Sequence, residues 1–328
     1  AGTKLNLENI NKFIDRRRAG KSSFTTSRKE KDEFRILSGY KDGHTTGSPL
    51  CVIFENTNTQ SKDYENLKVF LRPNHADYPA AIKFKGFNDI RGGGHFSGRI
   101  TLALTFAGAV AMDILEEKGI KIFSHIKKIL DIKDKSFLEF KEVDVDKFKN
   151  LKESSLAFIE DDLEIKAKEL LEKIKLSGNS VGGEIECACY NLPVGLGSPF
   201  FDSLESKISH LAFSVPAVKG IQFGIGFDFS NILGSEANDL YYLDNNQIKT
   251  KTNNNGGILG GLSTGMPLVF SVVIKPTPSI SIEQETVNVK EMKNDILKIS
   301  GRHDACIVPR VMPVIEAITA LAILDEIL

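Results

Sequence analysis

The segment from Ile100 to Gly119, ITLALTFAGAVAMDILEEKG, constrains the fold more than any other part of the chain. Its apolar residues recur at helical spacing, and its many small residues allow a neighbouring element to approach closely. The longest apolar run within it, from Leu102 to Met112, is well short of the roughly 20 residues that a membrane span needs. We therefore expect a helix packed inside a protein core, and no helix that crosses a membrane.

The charge balance of the chain excludes several classes of protein. The 328 residues include 42 Lys and Arg against 43 Asp and Glu, which gives a formal net charge of -1. A general nucleic-acid binder needs a basic excess to neutralise phosphates, so we expect no nucleic-acid partner, and any basic site must be local. With 41% hydrophobic residues and 4 cysteines, the chain is typical of a soluble cytoplasmic protein with reduced thiols.

Hydrophobic periodicity predicts the other main elements. The pattern LNLENINKFIDRR predicts a helix over residues 5–17, and the stretch 34–56 predicts a β-pair around a glycine-rich turn. Residues 60–94 show little periodicity and form either a loose loop or a functional one. Further predicted elements are a charged helix (161–176), a half-buried strand around ECACY (186–190), a helix over HLAFSVPAVKG (210–220), the strands IQFGIGFDF (221–229) and PLVFSVVIKP (267–276), and an apolar C-terminal helix (311–328).

Two loop segments carry polar residues that a scaffold alone does not need. In RPNHADY, His75 is a candidate proton donor or acceptor, because histidine titrates near neutral pH; an exposed loop histidine is the plainer alternative. In DIRGGGHFSGRIT, three glycines let the backbone approach a ligand, and His95, Ser97 and Arg99 follow where a helix begins. An ordinary turn with a serine N-cap explains the second segment equally well.

Two later segments are candidates for binding an anion. Lys275, Thr277 and Ser279 stand on a proline-stiffened turn and have the groups to clasp a phosphate, although a hairpin turn is the simpler explanation. In GRHDACIVPR, ionisable residues including Arg302 and Asp304 come just before a buried helix, so they must pair with each other or bind something.

A basic run follows the first helix and comprises Arg16, Arg17, Arg18, Lys21 and Arg28. Such a run either faces solvent or holds a ligand. Arginines and histidines around glycine-rich loops together suit a small polyanionic ligand.

Ten segments in order closely resemble the chorismate synthase family. They span nearly the whole chain and are RRRAG with SSFTTSRKEKDEF, ILSG with HTTGSP, SKDYENLK, RPNHADY, RGGG with SGR, NLPVGLGSP, GSEANDL, GGILGGLSTGMP, KPTPSI and GRHDACIVPR. The resemblance implies an α+β fold, a β-α-β sandwich of the chorismate synthase type in a single large domain over residues 1–328. It also implies conversion of 5-enolpyruvylshikimate 3-phosphate to chorismate and phosphate by a 1,4-anti elimination with reduced FMN, the last step of the shikimate pathway, in a homotetramer.

The resemblance further implies roles for individual residues. His75 is expected to keep the reduced flavin in its proper protonation state, and Asp304 to work with the flavin in removing the C6 proton, as base or relay. The residues expected to bind the substrate, which carries two carboxylates and a phosphate, are Arg17, Arg72, Ser97, Gly98, Arg99 and Arg302. The residues expected to contact the flavin are His95, Phe96, Ser97, Pro216, Ala217, Gly260, Lys275, Pro276, Thr277, Pro278, Ser279 and Arg302. No metal site is expected.

The chain departs from the family pattern at several positions. The family begins with a G-E-S-H-G segment whose histidine protonates the departing phosphate, and we expect the domain to lack that segment. A family arginine falls on His95, another falls on Ser23 with Arg28 as its candidate substitute, and an Asn-Ala pair falls on Pro216 and Ala217.

Three alternatives about activity stay open at this stage. The chain is either an active enzyme, a flavin- or anion-binding pseudoenzyme, or an assembly protein whose glycine-rich surfaces only pack. Its flavin is reduced either by the chain itself with NADPH or by an external flavin reductase.

Overall fold

The computed structural model describes residues 1–20, 32–55, 69–299 and 304–328. The helices in these ranges are α1 (Leu7–Arg17), α2 (Asp77–Lys83), α3 (Thr101–Glu117), α4 (Val145–Glu153), α5 (Asp162–Leu176), α6 (Leu204–Ser214), α7 (Gly234–Ala237) and α8 (Val308–Ile327). The strands are β1 (Phe34–Ser38), β2 (Tyr40–Lys41), β3 (His44–Thr45), β4 (Cys51–Phe54), β5 (Lys121–Ile129), β6 (Ile132–Lys133), β7 (Gly183–Tyr190), β8 (Val218–Phe223), β9 (Tyr241–Asp244), β10 (Gln247–Thr250), β11 (Ile258–Leu259), β12 (Leu262–Ser263), β13 (Leu268–Ile274), β14 (Gln284–Asn288) and β15 (Lys293–Leu297).

The largest sheet has five strands in the order β6-β5-β7-β13-β8, and every neighbouring pair is antiparallel. Phe270 on β13 stands opposite Cys187 on β7 and Phe223 on β8. Apart from the tight hairpin between β5 and β6, neighbouring strands of this sheet are far apart in sequence, so helices and loops fill the connections between them. One of those connections runs through α6, and the chain closes with α8.

The helices α3 and α8 form the middle layer of the molecule. Both pack against α1 and against β5. On the far side, Phe106 of α3 meets Phe34 of β1 at 4.9 Å and Phe54 of β4 at 6.2 Å between ring centroids. The helices therefore lie between the five-stranded sheet and the β1–β4 hairpin. The expected α+β fold, a β-α-β sandwich in a single domain, is confirmed.

The first prediction, a core helix between Ile100 and Gly119, is confirmed by α3. Within the described residues, one helix, Gly98–Glu117, is long and apolar enough to cross a membrane, with 20 residues and a mean hydropathy of 1.5. Half of this stretch is buried inside the protein. Length and composition do not separate such a helix from a core helix, and the packing of α3 against α8 is that of a core helix.

The strand predicted around ECACY is confirmed by β7, but its predicted half-burial is wrong. Residues 185–190 of β7 are buried on both faces, because α8 covers one face and the rings of Phe137 and Phe148 cover the other. Glu186 suggested an exposed face, yet it is 2% exposed and hydrogen-bonds inside the protein. The charge of Glu186 therefore led to the wrong prediction that one face of this strand is exposed.

The helix predicted over residues 210–220 is wrong in its second half. Helix α6 ends at Ser214 and β8 begins at Val218. Pro216 explains the boundary, because a proline disfavours helical backbone at the residue before it, and Val215 is extended. The strand predicted over 221–229 is correspondingly shifted, since β8 ends at Phe223. The loop predicted over 60–94 contains the short helix α2.

Candidate active site

The arginine run at the end of α1 turns inward rather than towards solvent. Arg17 is 4% exposed; its Nε donates to Thr101 Oγ1 at 3.1 Å, and its Nη2 donates to the carbonyl of Gly98 at 2.9 Å. Arg16 makes a two-point ion pair with Glu316 of α8, at 2.5 and 2.8 Å. The alternative that the basic run faces solvent is therefore wrong for Arg16 and Arg17. Lys21 and Arg28 lie outside the described residues.

A cavity of about 530 Å³ lies beside Arg17. Its walls come from the end of α1, from β1 and β4, and from the start of α3, and they include the predicted substrate residues Arg17 and Arg99. The charged residues among its described walls are Arg17, Arg35, Arg99, Asp32, Glu33 and Glu55. Folding thus brings two predicted arginines to one cavity, whose described walls also hold as many carboxylates as arginines.

The glycine-rich segment before α3 forms two short 3-10 turns. Ser97 caps the second turn, since its Oγ accepts from the backbone N–H of Arg99 at 3.3 Å. The structural alternative, a turn with a serine N-cap, is confirmed. A Cβ on Gly98 would nevertheless meet no atom within 4 Å. His95 and Phe96 are exposed, and the centroid of the His95 ring lies 6.1 Å from that of Phe84.

The RPNHADY loop folds around one carboxylate. Asp77 accepts from Arg72 Nε at 2.8 Å and from Arg72 Nη2 at 2.7 Å, and its Oδ1 lies 3.0 Å from His75 Nδ1. Partial burial of Asp77 favours its neutral form, but hydrogen bonds from Arg72 and His75 outweigh burial and hold its pKa below the ordinary value. The side chain of His75 is therefore fixed by its neighbours and is only 18% exposed. The alternative that His75 is an exposed loop histidine is wrong.

Lys275 joins this loop to the KPTPSI segment. Its Nζ donates to the backbone carbonyl of Asn74 at 2.7 Å, and its backbone N–H donates to the carbonyl of Ala217 at 2.9 Å. Partial burial and the nearby positive charge of Lys219 lower the pKa of Lys275. Three predicted flavin segments, around His75, Ala217 and Lys275, therefore meet at one place.

The backbone beyond Lys275 is tied to the start of β7. The carbonyl of Thr277 accepts from Ser180 Oγ at 2.7 Å, and the neighbouring Val181 pairs with Cys306 in a parallel bridge. Among the described residues, the hydroxyl of Thr277 is buried and has no hydrogen-bond partner. Ser279 is 9% exposed.

Asp304 lies just before α8 and is 10% exposed. Its Oδ2 accepts from Arg310 Nη1 at 2.8 Å, and Arg310 Nε donates to the backbone carbonyl of Arg17 at 3.1 Å. The GRHD segment is thereby joined to the arginine run. The predicted pairing of Asp304 with Arg302 involves a residue outside the described ranges.

Comparison with known proteins extends this picture to the whole chain. The family profile described as chorismate synthase matches residues 1–328. The chain belongs to the chorismate synthase family.

Several curated chorismate synthases are similar to this chain over nearly its whole length. That of Thermococcus kodakarensis is 43% identical over 328 residues, which cover 100% of this chain and 89% of that protein. That of Methanococcus aeolicus is 44% identical over 330 residues, which cover 98% and 88%. A solved structure described as a chorismate synthase matches with a TM-score of 0.73 at 27% identity, covering 99% of this chain and 84% of the other.

One predicted residue of this chorismate synthase family chain, Gly260, is not joined to the others by the described hydrogen bonds. Gly260 is exposed at the turn between β11 and β12, and a bridge between Gly197 and Leu262 ties that hairpin to NLPVGLGSP. Among the described residues, Gly260 takes no part in the hydrogen bonds that join the other motif loops. Arg302 lies outside the described ranges.

A buried charge network in this family member was missed by the sequence analysis. His125 on β5 is 0% exposed; its Nδ1 lies 2.9 Å from Asp134 and its Nε2 lies 3.1 Å from Glu186. Burial disfavours the charged ring, but the two carboxylates outweigh burial and raise the pKa of His125. Burial likewise favours neutral Glu186, but the hydrogen bond from His125 lowers the pKa of that carboxyl to about 2.

The residues that hold the site together were given no role by the sequence analysis, although two of them stood inside recognised motifs. Asp77 lies in RPNHADY and Arg310 ends GRHDACIVPR, so each is a short distance along the chain from the residue it contacts. The partner of Arg16, Glu316, is 300 residues away and carried no local signal.

Proposed function

We propose that the chain converts 5-enolpyruvylshikimate 3-phosphate to chorismate and phosphate by a 1,4-anti elimination, with reduced FMN as cofactor. Family membership over the whole chain supports this function. The structural observation that supports it best is the meeting of the motif loops: Lys275 contacts Asn74, and Arg310 joins Asp304 to Arg17.

The substrate residues in this proposal are cationic and lie on separate elements. Arg17 and Arg99 share one cavity, and Arg72 lies in the loop that Lys275 contacts. A substrate with two carboxylates and a phosphate suits such groups, because guanidinium forks match these oxygens and stay charged. The arginines are held by their own partners, so they are positioned before the substrate arrives.

The residues present fit a flavin phosphate and ring. The buried Thr277 hydroxyl lacks a described partner, and a Cβ on Gly98 or Gly260 would meet no atom within 4 Å, so the backbone is open to a ligand on that side. Lys275, Thr277 and Ser279 would hold the cofactor, together with the exposed His95 and Phe96. Reduced FMN, when bound, supplies electron density as the phosphate leaves and regains it afterwards.

Two side chains have proton roles in the proposal. Asp304 takes the proton that leaves C6, as base or relay, and its carboxylate is largely buried at the start of α8. His75 holds a proton beside the cofactor, and the contacts with Asp77 and Arg72 fix its ring. No metal enters this chemistry.

We also propose that the protein works as a cytoplasmic homotetramer. Large apolar side chains that are at least 80% exposed in the single chain support subunit contacts, and include Phe87, Phe200, Phe201 and Phe227. Light scattering of the purified protein tests this proposal. A monomer at micromolar concentration would contradict it.

The decisive experiment is an anaerobic assay with the phosphorylated substrate and chemically reduced FMN. We expect chorismate and phosphate in equal amounts, with turnover abolished in Asp304→Ala and strongly slowed in His75→Ala. Unchanged turnover in both variants would remove the assigned roles. A wild-type protein that binds FMN without turnover is the pseudoenzyme, and one that binds no flavin is the assembly protein.

A separate measurement identifies the source of electrons for the flavin. The purified protein is mixed with oxidised FMN and NADPH without oxygen, and flavin absorbance is followed. If the flavin is bleached when this protein is the only protein present, the chain reduces its own flavin. A flavin that stays oxidised means that an external reductase is needed.

A further inference from the structure

We infer that Arg310 is a positioning residue for Asp304, and that it fixes this carboxylate relative to the arginine run and the start of α3. Arg310 lies in the first turn of α8 and reaches two groups with one guanidinium. Its Nη1 donates to Asp304 Oδ2 at 2.8 Å, and its Nε donates to the carbonyl of Arg17 at 3.1 Å. The inference rests on the proposed function, in which Asp304 removes a proton.

The carboxylate needs such a partner because of where it lies. The side chain of Asp304 is 10% exposed and that of Arg310 is 19% exposed. A charged carboxylate with so little access to water is stable only when donors replace its hydration. The Arg310 guanidinium supplies one of these donors from a fixed direction.

The guanidinium is itself fixed by the element on its other side. Arg17 offers its carbonyl to Arg310, while the Arg17 side chain binds Thr101 Oγ1 and the carbonyl of Gly98. One line of hydrogen bonds therefore runs from Asp304 to the beginning of α3. A planar guanidinium spans two acceptors rigidly, which a lysine ammonium on its flexible stem does not do.

Geometry of this kind bears directly on rate. A base displaced by about 1 Å from its productive position can cost on the order of 100-fold in turnover. Arg310 thus acts through Asp304, and its removal matters only while Asp304 is present. That dependence separates a positioning residue from one that merely stabilises the fold.

The test is a double-mutant cycle on the full-length chain with Arg310→Ala, Asp304→Asn and the double variant. Single turnovers are measured anaerobically with saturating substrate and reduced FMN. We expect Arg310→Ala to slow turnover by about 100-fold when Asp304 is present, and to slow the residual turnover of the Asp304→Asn variant by less than about threefold. If that residual turnover is too slow to follow, the position of the Asp304 carboxylate in crystals of the Arg310 variants decides. An equal loss in both backgrounds, or no loss in the first, overturns the inference.

A second variant covers the case in which Arg310→Ala does not fold. Arg310→Lys keeps the positive charge but presents one donor group, so we expect a loss of about tenfold that also disappears in the Asp304→Asn background. Persistence of that loss without Asp304 overturns the inference. The control is Lys207→Ala, which removes an ion pair to Asp325 and Glu326 at the opposite end of α8 and leaves turnover unchanged.

A crystal structure of Arg310→Ala, or of Arg310→Lys, separates the inference from the proposed function. If wild-type protein shows no turnover, the proposed function fails whatever Arg310 does. In that case a displaced Asp304 carboxylate in the variant still supports the positioning role. A carboxylate that keeps its wild-type position without the arginine fork overturns it.

Discussion

Gly108 on α3 and Ala317 on α8 lie in backbone contact. A Cβ on Gly108 would overlap the Cβ and Cα of Ala317 and would come within 2.7 Å of its carbonyl oxygen. The two core helices cross at this point, and only a glycine allows them to lie this close together. The small residues of the Ile100–Gly119 segment thus set the spacing of the middle layer.

Gly108→Ala is expected to destabilise the protein by about 1–3 kcal/mol, because the added methyl has no space and the helices must separate. Urea unfolding followed by circular dichroism measures the change. The control is Ala107→Ser, which also adds one heavy atom but at the exposed neighbouring position, and should change stability by less than about 0.5 kcal/mol. Equal stability of both variants would mean that the helices cross further apart.

Breaking the pair between Arg16 and Glu316 should be costly. Glu316 is 0% exposed and also accepts from Ser124 Oγ at 2.6 Å. Glu316→Ala therefore leaves the partly buried Arg16 without this partner and the buried Ser124 hydroxyl without its acceptor, and should cost about 3–5 kcal/mol. Urea unfolding measures this cost. The exposed pair of Lys12 and Glu8 supplies the control, since Glu8→Ala should leave the midpoint unchanged. A small effect of Glu316→Ala would contradict a buried pair.

His125 should make stability depend on pH. Its folded pKa is raised, so its contribution is fully present below the unfolded value of about 6.5 and is lost as pH rises through the folded pKa, with a slope of at most about 1.4 kcal/mol per pH unit. Glu186 acts in the opposite sense, because its folded pKa is lowered to about 2. Its contribution is present above about pH 4.5 and is lost as pH falls through about 2.

Unfolding free energies between pH 5 and 8.5 test this assignment. The wild type should lose stability as the pH rises above about 6.5, and His125→Gln should lack that part of the profile. The exposed His210 supplies the control, since His210→Gln should keep the wild-type slope. A profile that is the same in all three proteins would show that folding does not change the pKa of His125.

Asp77→Asn should impair catalysis and also lower stability near neutral pH, because the lowered pKa of Asp77 means that its charged form stabilises the folded state there. The substitution removes the charge that holds Arg72 in two hydrogen bonds and fixes the ring of His75. We expect kcat/KM to fall by about 10- to 100-fold in the anaerobic assay. The control is Asp89→Asn, which breaks a similar but exposed pair with Arg91 and should stay within twofold of the wild type. Equal activity of both variants would show that the RPNHADY loop holds its shape without Asp77.

The sequence by itself determined the main core helices, the motif order and the family. Local periodicity was sufficient for α1, α3, α5 and α8, because a helix buries a face that repeats every few residues. It placed the strand β7 but not its burial, because Glu186 suggested an exposed face although its carboxylate pairs with His125 in the interior. It failed at Pro216, where local chain geometry ended a helix inside an apolar run.

Only the tertiary structure decided which charged residues meet. Arg16 finds Glu316 across 300 residues, and Lys275 finds Asn74 across 201 residues. The motifs assigned roles to His75, Asp304 and the arginines, but gave none to the groups that hold them, such as Asp77 and Arg310. Such pairings have no local signature, because they depend on where whole layers come to rest once the apolar helices and the sheet have packed together.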